Sequence, residues 1–206
     1  MISRYDGGEY PIKKLSRIIL VFFGDTNPDL EEVLENSLKQ FIDSIKEDLS
    51  VIPRILCRYE SMPRNIPPHN QHRVFFSALQ KINGNILIGV TVTEFFDPQL
   101  SRYVFCYGQV DGRGMLSTYR VRKETNNSRL FLERLSKHVI RVFAMACTVD
   151  SCFDSDCIIS YHQRVEDLDR NWYVCEPCRK DFIRNLAFFL SVPEGKQGTL
   201  LLPECE

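Results

Sequence analysis

The sequence has no marked excess of either charge and no long apolar run. Its 26 lysines and arginines and 27 aspartates and glutamates give a formal net charge of −1. Binding to nucleic acid phosphates requires a basic excess, so we expect no nucleic acid partner. No apolar run reaches the ~18 residues that span a bilayer, and the polar segment 1–9 lacks the apolar core of a signal peptide. These absences predict a cytoplasmic protein with no membrane partner.

Length and composition indicate a folded protein with a substantial core. A chain of 206 residues suits one large domain or one domain with a small appendage. Its 44% hydrophobic and 26% charged residues are typical of globular proteins. We see no internal repeat and no low-complexity segment.

Two close cysteine pairs are the most informative feature. Cys152 and Cys157 are followed, after seventeen residues, by Cys175 and Cys178. Such spacing is typical of a zinc site in which each pair supplies two thiolates to one tetrahedral ion. A closed four-thiolate site stabilises structure and leaves no position for water, so we expect one structural zinc and no catalytic role for it. Two disulfides or four unrelated buried thiols are the alternative, which reducing conditions in the cytosol disfavour.

The remaining cysteines lie outside this cluster. Cys57, Cys106 and Cys147 sit in apolar runs and read as small core residues, and Cys205 is near the end of the chain. Asp154 and Asp156, between the first two cluster cysteines, are expected to hydrogen-bond the zinc turn.

Hydrophobic patterning predicts an α/β fold, a mixed twisted sheet flanked by helices, with a zinc-stapled C-terminal lobe. The predicted strands are Ile18–Phe23, 51–59 and 86–92, with a hairpin of 103–110 and 115–121 around an Asp-Gly turn. The predicted helices follow Asn27-Pro28 to about residue 49, then cover 71–82, 128–147 and 179–190. Residues 1–16 read as a loose lead-in, and 199–202 as a short pairing segment.

The predicted helix 128–147 carries an unusual charge. Ser128 is its expected N-cap, and Arg134, Ser136 and Lys137 form the polar side of its first turns. Beyond residue 139 the helix is apolar on all sides, which predicts burial. Arg141 lies inside that apolar stretch. Its guanidinium therefore either finds partners in the interior or extends to the surface along its own aliphatic stem.

The histidines form no recognisable ligand pattern. His69 and His72 lie in or beside a proline-rich loop and are expected to be exposed. His138 is expected to be a half-buried helix residue. A second metal site formed from His138, His162 and Asp150 is the alternative, although their spacing matches no known ligand motif.

The chain resembles the archaemetzincins, relatives of the metzincin metallopeptidases. That family is marked by a helix bearing HExxHxxGxxH, followed at once by CxxxxCxM and later by CxxC. The four clustered cysteines match its structural zinc site, and the segments 86–91, 105–109, 116–120, 133–140 and 166–170 resemble its core. The resemblance implies a metzincin-like mixed sheet, with an α/β core over 1–150 that includes helix 128–147 and a zinc-stapled lobe over 151–206, together one compact domain.

The catalytic motif itself does not carry over. Arg141, Met145 and Ser151 stand at its three histidine positions, and Val142 stands at the glutamate position. Zinc hydrolases need neutral ligands around an open site and a general base, which these side chains do not provide. Two further departures are Thr148, whose β-branch disfavours the positive φ of the family's glycine, and Ile159 at the methionine position.

We therefore expect no catalytic residues, no catalytic zinc, and a peptide- or protein-binding role for a chain that has lost its hydrolytic centre. An extended peptide partner adding to a sheet edge is the expected binding mode. Two alternatives stay open. One is a zinc-dependent peptidase or other hydrolase with a rebuilt site; the other is a zinc-ribbon adaptor using a basic cluster near the cysteines (Arg164, Arg170, Arg179, Lys180 and Arg184).

Overall fold

The structure is a computed structural model that describes residues 16–24, 27–64, 71–97, 102–104, 106–109, 111–170 and 173–191. The predictions for the lead-in, for His69, for Cys205 and for the segment 199–202 lie outside the described residues.

The described residues form seven strands and five α-helices. The strands are β1 (Arg17–Phe23), β2 (Arg54–Glu60), β3 (Ile86–Thr91), β4 (Phe95–Asp97), β5 (Arg102–Val104), β6 (Cys106–Gln109) and β7 (Arg113–Ser117). The helices are α1 (Pro28–Ile45), α2 (Gln71–Leu79), α3 (Tyr119–Lys123), α4 (Ser128–Ala146) and α5 (Glu176–Ser191). Short 3-10 helices cover Lys46–Asp48 and Val165–Asp169.

Five strands form one mixed sheet in the order β2-β1-β3-β7-β6. The first four run parallel, while β6 pairs antiparallel with β7 and ends the sheet on that side. Strands β4 and β5 form a separate antiparallel hairpin. The predicted α/β class, a mixed sheet flanked by helices, is confirmed.

Both faces of the sheet are covered, which explains why β1 is apolar at nearly every position. Ile18, Leu20 and Phe22 face the larger core, which also contains buried residues of α1, α4 and α5. The residues between them, Ile19 and Val21 among others, face a smaller core built on α2. A strand buried on both sides loses the polar alternation of a half-exposed strand.

Pro53 stands directly before an edge strand that starts three residues later than the predicted range 51–59. β2 begins at Arg54 and is the end strand of the sheet on the side opposite β6. Proline lacks the N–H that a central ladder needs, which restricts it to such places.

The hairpin prediction is half right. β6 and β7 do pair around residues 111–112, with Gly112 at φ +82°. The second arm was wrong beyond residue 117, because Tyr119–Lys123 forms helix α3 instead of continuing the strand. The strand ends at Ser117, whose Oγ donates to Thr93 O at 2.6 Å. Strand preference depends on context, and here it does not determine the structure of the residues that follow.

Helix α4 begins at Ser128, the first residue of the predicted range, but its N-cap lies one residue earlier than predicted. Asn127, not Ser128, is the N-cap, since its Oδ1 accepts the N–H groups of Arg129 and Leu130 at 2.8 and 3.2 Å. Asparagine and serine cap equally well, so the sequence gives no preference between them.

The polar side of α4 is not open to solvent, contrary to the prediction. Arg134 and Lys137 are buried beneath the 3-10 helix Val165–Asp169. Arg134 Nε and Nη2 donate to the two carboxylate oxygens of Asp169 at 2.8 and 2.7 Å, and Lys137 Nζ donates to Leu168 O at 3.0 Å. A later segment therefore covers these cations and supplies their partners.

No helix among the described residues is long and apolar enough to cross a membrane.

Candidate metal centre

The four predicted cysteines converge on one point. The Sγ atoms of Cys152, Cys157, Cys175 and Cys178 all lie within 4.8 Å of one another, and the Cys152 and Cys175 sulfurs are 3.6 Å apart. Zinc–sulfur bonds of about 2.3 Å in a tetrahedron place sulfurs about 3.8 Å apart. The four thiols therefore fit one zinc ion without rearrangement of the chain.

Local hydrogen bonds hold the two cysteine pairs in place. The N–H of Asp154 donates to Cys152 Sγ and that of Cys175 donates to Cys157 Sγ, each at 3.4 Å. Cys178 lies in the first turn of α5, where the helix dipole favours negative charge. These N–H groups and the helix end stabilise thiolates, the form that binds a metal.

The two aspartates behave differently from each other. Asp154 closes the turn as expected, its Oδ1 accepting from the Asp156 N–H at 3.0 Å and its Oδ2 from the Tyr173 hydroxyl at 2.7 Å. The Tyr173 hydroxyl lowers the pKa of Asp154, and the carboxylate raises the pKa of Tyr173 to about 12. Asp156 contributes its backbone to this turn.

The thiols differ in how readily they ionise without metal. Burial raises the pKa of Cys157 to about 11 and that of Cys178 further. Burial also acts on Cys175, but the Cys178 N–H and the neighbouring thiols outweigh it and lower the Cys175 pKa. Zinc binding must therefore release protons from thiols that are protonated at neutral pH.

The described residues offer no second group of this kind. Among them, the four cysteines are the one set of three or more His, Cys, Asp or Glu side chains close enough to share an ion. His138 is fully buried in α4, more deeply than predicted, and His162 lies within 3.4 Å of Ser160 Oγ. Asp150 is exposed, so His138, His162 and Asp150 are not brought together as a metal site.

Arg141 lies in a tight cluster between α4, β6 and the segment after the zinc turn. The Arg141 cluster comprises Cys106, Arg141, Met145 and Ile159. Arg141 is 4% exposed, and its Nη1 donates to Ile159 O at 3.4 Å. Its Cζ is 5.9 Å from the centre of the Tyr161 ring. The alternative in which Arg141 extends to the surface is wrong.

The guanidinium is poorly compensated for a buried charge. Among the described residues the side chain donates to Ile159 O and hydrogen-bonds the Cys106 thiol, while the buried Nε has no partner. Cys106 Sγ lies 3.8 Å from Met145 Sδ. Burial raises the pKa of the Cys106 thiol, and the adjacent Arg141 opposes that shift. Unsatisfied buried donors are uncommon in folded proteins, which marks Arg141 as a feature with a cost.

The end of α4 is an unexpected strained turn. Thr148 adopts φ 56°, the left-handed conformation that a β-branched residue disfavours. Its N–H donates to Met145 O and that of Val149 to Ala144 O, the pair of bonds that closes a Schellman motif. Asn185 of α5 supports the turn, since its Nδ2 donates to Cys147 O at 2.9 Å. The turn expected for glycine thus forms despite Thr148.

Comparison with solved structures identifies the architecture. The archaemetzincin of Methanopyrus kandleri superimposes with a TM-score of 0.69 at 20% identity, over 86% of this chain and 98% of that one. The fold is that of the archaemetzincins. The archaemetzincin of Archaeoglobus fulgidus, solved with malonate, gives a TM-score of 0.56 at 20% identity over 80% of this chain and 99% of that one. A zinc-dependent peptidase from Methanocorpusculum labreanum gives 0.61 at 16% identity over the same shares.

Sequence comparison agrees. The archaemetzincin of Aeropyrum pernix is 25% identical over 114 residues, which is 54% of this chain. The match spans 60% of the length of that curated relative. No family model matches the chain. The predicted resemblance to archaemetzincins is confirmed. The predictions of a four-cysteine zinc site and of homology to zinc metallopeptidases are also confirmed.

Within the archaemetzincin fold, the positions of the sequence motif are now placed. Arg141 and Met145 face the same cluster beside β6, one helical turn apart, while Ser151 is exposed beyond the Thr148 turn. Val142 is fully buried and lies against Gly114 of β7. The sequence located these positions but not the conformation of Thr148, for which no local signal exists.

Proposed function

We propose that this chain is a non-catalytic archaemetzincin-like protein that binds an extended peptide along β6, beside the Arg141 cluster. The observation that carries the proposal is the pairing of an edge strand with a buried cation. β6 has a neighbour on one side in the described sheet, so its other edge can pair with an added strand. Arg141 lies within the cluster that β6 covers.

The non-catalytic part rests on the chemistry of the side chains. Arginine stays protonated and is not a zinc ligand, and a buried valine accepts no proton. Arg141 and Val142 therefore supply neither the first ligand nor the base that metal-activated water requires. The zinc held by the four cysteines has a complete ligand shell and does not substitute for an open site.

The proposal of peptide binding rests on the unfavourable burial of the Arg141 guanidinium. A buried guanidinium whose Nε has no partner among the described residues gains when a ligand carbonyl or carboxylate reaches it, because charge-assisted bonds are among the strongest polar contacts. A peptide paired with β6 would run beside this cluster. Strand addition supplies affinity through the backbone, and Arg141 adds a charged anchor.

The surface basic residues do not favour an adaptor that reads nucleic acid. Arg179 donates to Asp48 at 2.6 Å, Arg184 to Asp181 at 2.9 Å, and Lys180 lies 3.6 Å from Glu176. These paired charges support the expectation of a protein or peptide partner.

The test is a screen of an immobilised hexapeptide library with the zinc-loaded full chain. Peptides that bind are resynthesised with alternate backbone N-methyl groups, which remove ladder hydrogen bonds, and each is incubated with added zinc, cobalt or manganese. We expect binding without cleavage and loss of binding on N-methylation. Arg141→Met should weaken binding, whereas Arg129→Met, an exposed change on the first turn of α4, should not.

The two parts fail separately. Turnover that survives further purification and is abolished by a chelator would show that the chain is an enzyme. Binding that is indifferent to N-methylation would contradict strand addition while leaving the absence of catalysis intact.

A further inference from the structure

A cavity lies near the opposite end of α4 from the Arg141 cluster. It has a volume of about 500 Å³ and is formed by the ends of β1 and β3, the start of α1 and the α3–α4 region. Its lining includes Phe23, Leu30, Val90, Val92, Arg122 and Phe131. Phe131 and Arg141 are ten residues apart on one helix, so about 15 Å separates the two places.

The cavity occupies the topological switch point of the sheet. From β1 the chain passes through α1 to β2 on one side, then through α2 back across to β3 on the other side of β1. α1 and α2 cover opposite faces, and the carboxyl ends of β1 and β3 diverge between them. In open α/β sheets this crevice is the usual place for a ligand.

The walls are apolar and the mouth is cationic. Among the described residues, the lining contains Arg122 and Lys123 and no acidic side chain. The Arg122 guanidinium lies 4.2 Å from the centre of the Phe131 ring, and Lys123 Nζ lies 5.8 Å from that of Tyr119. Neither cation forms an ion pair with a described residue, unlike Arg120 nearby, which pairs with Glu124 at 2.8 Å. Within the described part of the chain, two cations without an ion pair thus flank an apolar pocket.

The first and last described residues lie at the other end of β1 from this cavity. Ser16, just before β1, donates through Oγ to Leu190 O at 3.2 Å, and Asn85, just before β3, donates to Phe189 O at 3.1 Å. These contacts lie at the amino ends of the strands, across the length of β1 from the cavity.

We propose that this cavity binds a small amphipathic monoanion, an aliphatic or aromatic body carrying one carboxylate. The body occupies the space between Phe23, Leu30 and Val90, and the carboxylate meets Arg122 and Lys123. The size matches small-molecule sites, which are mostly apolar with a few placed polar groups. This site is independent of the peptide surface on β6.

The test compares octanoate with 1-octanol, which shares the chain and lacks the charge, by titration calorimetry on the zinc-loaded full chain. We expect octanoate to bind and to bind roughly tenfold more tightly than octanol, the value of a charge-assisted contact of about 1.4 kcal/mol. Arg122→Gln with Lys123→Gln should remove that preference. Arg129→Gln, an exposed arginine outside the cavity lining, should keep it.

A blocking variant localises the binding. Val92 lines the cavity yet is 55% exposed, so Val92→Trp can fill the mouth without disturbing the core. It should abolish binding of both probes with an unchanged melting temperature. Octanoate affinity weaker than about 1 mM, no preference over octanol, or binding that persists in Val92→Trp would each overturn the proposal. If a segment of the chain already fills the cavity, octanoate should bind more weakly than about 1 mM.

Discussion

Replacing Thr148 by glycine should leave the protein more stable than replacing it by alanine, although glycine removes one more carbon. Thr148 holds φ 56° to close the Schellman motif at the end of α4. The hydroxyl offers partial compensation, since Oγ1 donates to Cys147 O at 2.7 Å. The backbone conformation is imposed by the surrounding bonds, and glycine adopts it without a Cβ clash.

The magnitude follows from two opposing effects. The left-handed conformation costs an L-residue roughly 1–2 kcal/mol. Compared with alanine, glycine lowers the free energy of unfolding by roughly 0.4–1 kcal/mol, because it gives the unfolded chain more conformational freedom. Thr148→Gly should therefore be about 1 kcal/mol more stable than Thr148→Ala, which keeps the strain and also loses the hydroxyl. In a protein of this size about 1 kcal/mol shifts the melting temperature by about 2–4 °C.

The comparison with alanine is what isolates the backbone. Both variants lose the same hydroxyl bond, so urea unfolding of the two at saturating zinc measures the conformational difference alone. We expect glycine above alanine, with unchanged denaturant slopes. Equal stability of the two variants, or a more stable alanine, would show that residue 148 is not held at positive φ, and the Schellman closure of α4 would have to be abandoned.

Three further predictions concern the metal and the buried cations. The pure protein should hold one zinc per chain, and Cys175→Ser with Cys178→Ser should lose it together with stability, as elemental analysis and thermal melts will show; full zinc retention would contradict the four-cysteine site. Arg141→Met should raise the free energy of unfolding by about 1–2 kcal/mol, because it removes an undercompensated buried charge; destabilisation would show that the guanidinium is better satisfied than its contacts indicate. Asp169→Asn should cost about 1–2 kcal/mol at pH 7, discounted because the carboxylate is partly exposed. The Arg134 hydrogen bonds lower the pKa of Asp169, so this contribution is present above the unfolded-state pKa of about 4 and disappears as pH falls through the folded-state value; a pH-independent difference in urea melts would contradict the pairing.

The parts of the fold predicted correctly are those specified by local pattern. The apolar run of β1, the proline start of α1 and the apolar second half of α4 each identify an element from neighbouring residues alone. The cysteine spacing likewise predicts a site, because the chain between the pairs is long enough to return and the pairs are short enough to present two sulfurs together.

What the sequence did not specify depends on distant partners. Helix α3 forms from residues with strand preference, and Arg134 and Lys137 become buried because a segment more than twenty-five residues later in the chain covers them. The switch-point cavity arises from the order of the strands, which no local pattern encodes. The left-handed turn at Thr148 is also supported from outside its own helix, by Asn185 of α5.

Helix α5 connects the cysteine cluster to the far end of the sheet. It begins at the cysteine cluster, donates from Asn185 to the end of α4, and receives Asn85 and Ser16 at its far end. Its 16 residues extend about 24 Å. Without a bound ion, the first turn of α5 would be less firmly held. The backbone amides at the start of β1 and β3 would then exchange with solvent faster than in the zinc-bound protein. An ion bound by the four cysteines would thereby affect the rigidity of the far ends of β1 and β3.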